Sequence, residues 1–297
     1  MTFPNIEKRL LFVVPAIPIA WWIINASPFS ITLTWPAVIR PGHILIIMLA
    51  ILACWEYIGM LRILYPRNGF WISYIWLVLH FVLNFFDIQL PHYTAFWVLL
   101  LLVAIEAFGW GRLKKTRRWM RASLLFSGVA IIYMCAAALL NFYNDAFQHL
   151  FRTFEAPMLS QLGICLVILA VCLCDSSAYF IGCSFGKRRF SIISPHKTIE
   201  GAIGGFVAAV LTASIGWWFL ADFRLPKGLG ILLGVLIGIF AQIGDLFVSL
   251  MKRYFRVKDS SHLIPGHGGI LDRFGSLFFT APAISIFSWI VGRIIHV

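Results

Sequence analysis

The chain has 297 residues, of which 61% are hydrophobic and 12% charged, with a mean hydropathy of +0.89. Soluble domains carry about 25% charged residues, so this composition excludes a soluble fold and points to an all-α polytopic integral membrane protein. The net charge of +12 does not signal nucleic acid, because the basic residues gather in short loops between apolar runs, as membrane topology requires.

Nine apolar runs follow in chain order: Leu10 to Ile24, Ile44 to Leu64, Phe70 to Phe86, Thr94 to Trp110, Ala122 to Leu140, Leu162 to Ile181, Ala202 to Leu220, Leu229 to Met251, and Ile270 to Ile295. Most approach the roughly 20 residues that cross a hydrocarbon core. The first run follows Lys8 and Arg9, as a signal peptide would. No Ala-x-Ala site lies near Asn25 to Ser27 and further runs follow, so it reads as an uncleaved first span. With the N-terminus inside and the C-terminus outside, eighteen of the 24 Lys and Arg residues lie on the inner side and five on the outer. Only this orientation satisfies the positive-inside bias. The spans form one continuous membrane domain. Residues 1–144 are mainly apolar, and residues 145–297 hold the polar constellations with the inner loops. The six cysteines show no CxxC or zinc spacing and read as small buried hydrophobes.

Three carboxylates, Asp175, Asp245 and Asp272, stand at or inside the ends of apolar runs. An ionisable residue in a span needs a partner, an aqueous cavity or a metal. Three at the same membrane face suggest one polar site built from three helices. In Asp175–Gly201 (DSSAYFIGCSFGKRRFSIISPHKTIEG), Gly182 and Gly186 end a span, Lys187, Arg188 and Arg189 follow, and Ser194-Pro195 with Thr198 reads as a helix start. In Gly244–Ser276 (GDLFVSLMKRYFRVKDSSHLIPGHGGILDRFGS), Asp245, Ser249 and Lys252 share one helical face. Pro265 to Gly269 is a turn of exposed N–H groups suited to an anion, and Asp272 with Arg273 then opens the last span. Carboxylates able to bridge a metal, ringed by cations, are what a polyphosphate needs. The plain alternative for Asp245 and Asp272 is an ion pair with Arg253 or Arg273. Glu56 and Glu106 lie one to two turns inside the inner face; joining the site, or pairing with each other or with a lysine, are both open.

SPHKTIEG resembles the S-P-x-K-T-x-E-G element of the phosphatidate cytidylyltransferases, the CDP-diacylglycerol synthases. DSSAYFIGCSFGK is similar to their D-[ST]-x-A-Y…G…G-K element, and Ser249 to Arg273 follows their long signature. Glu56, in a Trp-Glu-Tyr context, is also family-like. Two positions depart: Gly275 stands where the signature ends in Asp, and Ser261 stands where Gly is usual. The resemblance implies transfer of CMP from CTP to phosphatidate, giving CDP-diacylglycerol and pyrophosphate. The expected topology puts the site at the cytosolic face, and the compact loops with no transit peptide favour a bacterial inner membrane. The resemblance also implies Mg²⁺ held by Asp245, Asp272 and Asp175, with room for a second, monovalent cation. Catalytic roles then fall to Asp245, Asp272, Lys252, Arg253 and Arg273. Substrate contacts fall to Lys187, Ser194, Lys197, Thr198, Glu200, Ser249, Lys258, Asp259, His267, Gly268 and Gly269. The expected partners are CTP, phosphatidate, membrane lipids and a second copy in a homodimer. Two other readings stay open: a divergent member with another lipid phosphate or weak activity, since Gly275 removes a carboxylate, and an ion-coupled transporter using the same acids.

Overall fold

Long apolar runs become helices because a bilayer offers no partner for backbone N–H and C=O groups, and the helix satisfies them internally. A computed structural model describes residues 29–32, 36–39, 41–65, 75, 115–141, 157–191, 194, 197–220, 226–264 and 268–295. The described elements are a short hairpin of β1 (Phe29–Thr32) and β2 (Pro36–Ile39), followed by α1 (Pro41–Leu64), α2 (Lys115–Asn141), α3 (Pro157–Phe185), α4 (Ile199–Leu220), α5 (Gly228–Tyr254) and α6 (Ile270–Ile295). All six helices are long and apolar enough to cross a membrane, and they coincide with six of the nine expected spans. The expected spans Leu10 to Ile24, Phe70 to Phe86 (Ile75 apart) and Thr94 to Trp110 lie outside the described residues. Helical periodicity did not anticipate the hairpin. It pairs Phe29 with Ile39 and Ile31 with Ala37, and its Ile and Val residues suit a pleated surface.

Contacts divide the chain into two compact units, Met1–Ala136 with Phe255–Leu271, and Ala137–Tyr254 with Asp272–Val297. In the first, α1 and the start of α2 are joined by Tyr57, whose hydroxyl donates to the Leu124 carbonyl at 2.6 Å. The Tyr57 ring also meets Phe255 edge-on, with centroids 5.6 Å apart.

In the second unit α3, α4 and α5 pack on one another. The buried stripe of α4 is Gly201, Gly205, Ala209, Ala213 and Trp217, one small residue per turn until the last. Its outward face, Ile203, Val207, Leu211 and Ile215, is exposed, as expected where lipid is the solvent. Small residues at the contact let backbones approach closely. A Cβ on Gly205 would sit 2.6 Å from the Cys174 carbonyl oxygen of α3, so only glycine fits. Cys54, Cys135 and Cys174 are buried as expected, whereas Cys172 and Cys183 are exposed. Those two lie on parts of α3 that the other described helices do not cover.

Candidate functional site

The charged residues of the second unit converge as their apolar surroundings demand. Asp175 lies ten residues before the end of α3, Asp245 lies nine residues before the end of α5, about 13 Å along its axis, and Asp272 is the third residue of α6. Lys197, two residues before α4, forms an ion pair with Asp245. Lys252, in the last turn of α5, donates to Asp272 Oδ1 at 2.5 Å, where the carboxylate is only 9% exposed. Asp175 interacts electrostatically with Asp245, Lys197 and Arg273, and Ser276 lies beside it. The three acids thus come from three helices, and their cations include two lysines rather than the Arg253 partner weighed from sequence. Arg253 is exposed, as are Lys187, Lys258 and Asp259; Ser194 and Ser249 are half-buried.

Lys197 is aimed by a tightly tied loop. Thr198 caps α4, its hydroxyl accepting from Gly201 N at 3.1 Å. Phe190 N donates to the Lys197 carbonyl and Ile199 N to the Arg188 carbonyl. Glu200 closes the base by accepting from Lys187 N at 3.1 Å and Arg188 N at 3.3 Å. Thr198 and Glu200 therefore shape the loop that carries the cation. His196 and Pro195 lie outside the described residues.

Behind the acids α5 and α6 cross at two glycines. A Cβ on Gly244 would meet Phe279 Cβ at 2.7 Å and the Gly275 carbonyl oxygen at 2.8 Å, and a Cβ on Gly275 would meet Val248 Cγ2 at 2.6 Å. Gly275, the departure from the family signature, is thus a contact residue of this helix crossing.

The signature loop Phe255–Leu271 belongs to the first unit, where Glu56 organises it. Glu56 is 1% exposed. Its Oε1 accepts from Ser261 Oγ at 2.6 Å and Ile270 N at 2.7 Å; its Oε2 accepts from Ser260 Oγ at 2.8 Å and Leu271 N at 2.9 Å. This answers the open question about Glu56: its described partners are two serines and the N-terminal amides of α6. Ser261, the second departure, supplies one of those hydroxyls. Among the described residues positive φ occurs at Arg256 (60°) and Gly268 (84°), and not at Ser261. Gly269 is required for a different reason, since a Cβ there would lie 2.6 Å from both Glu56 carboxylate oxygens. Ile264 N donates to the Gly268 carbonyl at 2.9 Å; Pro265, Gly266 and His267 lie outside the described residues. Glu106 lies outside them as well.

Among the described residues no three His, Cys, Asp or Glu side chains are grouped to hold a metal ion. Magnesium, however, takes one or two protein carboxylates and completes its octahedron with water and substrate phosphates. The interacting pair Asp175 and Asp245 fits that requirement in donor type and number.

The chain matches the cytidylyltransferase family over residues 15–291. It is 32% identical over 264 residues to a phosphatidate cytidylyltransferase of Staphylococcus aureus, covering 84% of this chain and 92% of the relative. It is 43% identical over 135 residues to the Bacillus subtilis phosphatidate cytidylyltransferase, and 47% identical over 128 residues to that of a Synechocystis species. The latter two alignments span about half the relatives' lengths, 49% and 43%, and 43% and 42% of this chain. A family match running almost end to end, with a relative aligned over nearly its whole length, leads to one conclusion: the chain belongs to the cytidylyltransferase family.

Proposed function

We propose that the protein is a phosphatidate cytidylyltransferase that transfers CMP from CTP to phosphatidate and releases CDP-diacylglycerol and pyrophosphate. The observation that carries this reading is the cluster of Asp175, Asp245 and Asp272 with Lys197, Lys252 and Arg273 on and beside otherwise apolar helices. A phosphatidate oxygen attacks the α-phosphorus of CTP, the bond from that phosphorus to the bridging oxygen breaks, and pyrophosphate departs with the electron pair. The lipid phosphate is already ionised near neutral pH, so no general base is needed. Catalysis then consists of positioning and charge neutralisation.

Lys197 and Lys252 are each held by a carboxylate while the substrate is absent, so neither is a desolvated lone cation. When the triphosphate arrives, the ammonium groups turn to its oxygens. Asp175 and Asp245 would hold magnesium, with Asp272 beside them as a further carboxylate, and the ion would supply neutralisation of the leaving pyrophosphate. Arg273 and Arg253 serve the lipid phosphate or the triphosphate. The site faces the cytosol of a bacterial inner membrane, where CTP is found, and the acyl chains lie between spans.

The test is purified protein in phosphatidate-containing vesicles with CTP and magnesium, following pyrophosphate and CDP-lipid together. Equal release of both supports the reading. No product with any divalent ion tried would sink it.

A further inference from the structure

Glu56 receives four hydrogen bonds from one short stretch of chain, and none of the chemistry above uses it. Two donors are hydroxyls of the signature loop, and two are the backbone amides of Ile270 and Leu271, the first residues of α6. Those amides belong to the group that a helix leaves without internal partners at its N-terminus. An anionic carboxylate there also complements the helix dipole. Asp272 is the next residue after Leu271 on the same helix. We propose that Glu56 is a positioning residue: by anchoring Ser260, Ser261 and the first two amides of α6, it sets the rotational phase in which Asp272 leaves the helix start. The proposal deepens the functional reading above and rests on it.

The number of donors around Glu56 requires a carboxylate. Each carboxylate oxygen accepts one hydroxyl and one amide. Glutamine has the same shape but only one acceptor oxygen. Whichever way the carboxamide turns, its NH₂ faces either Ile270 N–H or Leu271 N–H, donor against donor. A serine hydroxyl can rotate to accept from that NH₂, but a backbone amide cannot. One buried amide at the start of α6 is therefore orphaned. Gly269 narrows the choice further, because its missing Cβ is what lets the carboxylate approach.

The experiment combines hydrogen exchange with steady-state kinetics on Glu56→Gln in the full chain. Exchange across residues 260–272, measured without substrate, is expected to quicken about tenfold or more while exchange in α4 is unchanged. kcat is expected to fall about 10–100-fold with the KM for CTP moving less than about threefold, a split that general loosening of the fold would not produce. Should Glu56→Gln fail to fold, Ser261→Ala removes a single hydroxyl donor and is expected to lower kcat about two- to fivefold with a smaller rise in exchange at the same segment. Unchanged exchange at 260–272 overturns the proposal. So does quickened exchange with wild-type kcat, which would make the cage structural only. If the wild-type protein makes no CDP-lipid while its exchange responds to Glu56→Gln, the functional reading falls and the anchoring of α6 stands.

Discussion

Replacing Gly275 with aspartate would write the family's signature carboxylate back into this chain, and the helix crossing predicts that the change damages the protein. The new Cβ would lie 2.6 Å from Val248 Cγ2. Val248 is 3% exposed and branched at Cβ, so it has little rotamer freedom with which to yield. Overpacking of this kind costs about 1–3 kcal/mol. Leaving glycine behind recovers up to about 1 kcal/mol of helix propensity, whereas putting a carboxylate at a buried helix contact adds about 1–3 kcal/mol. The net loss for Gly275→Asp is about 1–6 kcal/mol, which at roughly 2–4 °C per kcal/mol lowers the thermal midpoint by about 2–24 °C. Turnover should fall as well, because Gly275 adjoins Ser276 and Gly244 adjoins Asp245, so helices forced apart carry both polar groups with them. The assay is a thermal midpoint in detergent alongside CDP-lipid formation, for Gly275→Asp, Val248→Ala and the double variant. The contact predicts that Val248→Ala rescues part of the loss, with a coupling of about 1–2 kcal/mol. A single Gly275→Asp variant with higher turnover and an unshifted midpoint would refute the argument and mark Gly275 as a missing ligand.

Three further outcomes follow from the charged cluster and the loop beside it. Asp245→Asn should lower turnover at least about 100-fold, as loss of a preorganised charged group does, yet change stability by less than about 1 kcal/mol, because its pair with Lys197 is 40% and 29% exposed; near-normal turnover would remove Asp245 from the chemistry. Asp272→Asn should destabilise by about 1–3 kcal/mol, since it strands Lys252 beside a site only 9% exposed; adding Lys252→Met should return most of the stability and none of the activity, as read by thermal midpoint and CDP-lipid formation. Arg256 holds φ at 60°, a conformation costing a non-glycine residue roughly 1–2 kcal/mol, so Arg256→Gly should raise stability by up to about 1 kcal/mol and Arg256→Val should lower it by at least as much in the same melting assay.

Much of this arrangement was legible because lipid allows few exceptions. Asp175, Asp245 and Asp272 stand out in runs that otherwise hold almost no charge, and the cost of such residues forces them together whatever the details of packing. The helix α1, Pro41–Leu64, also covers the expected span Ile44 to Leu64, since a long apolar run in lipid has no alternative to the helix. The pairings were not legible. Helical spacing puts Asp245 and Lys252 on one face, but Lys252 binds Asp272 of α6 and Asp245 binds Lys197 of the loop before α4, because partners come from whatever crosses or abuts α5 rather than from spacing along it. That crossing is set by glycines such as Gly244 and Gly275, which have no side chain to announce a contact. Gly275 read as a lost carboxylate for the same reason.

Glu56 marks the limit most clearly. A lone glutamate within an apolar run is visible in any sequence, and it demands a partner. The sequence offers it a place in the charged site, or a pairing with Glu106 or a lysine. Among the described residues its partners are instead two hydroxyls and two backbone amides more than two hundred positions away. Amides are present at every residue but proline, so residue type cannot identify them. Only the start of a helix leaves them free, and so a buried acid in a membrane chain should be matched against distant helix starts as well as against basic residues. Under that rule Glu56 and Ile270 form a pair readable from the sequence, because Ile270 opens the last apolar run directly after a Gly-rich turn, where unpaired amides must otherwise find water.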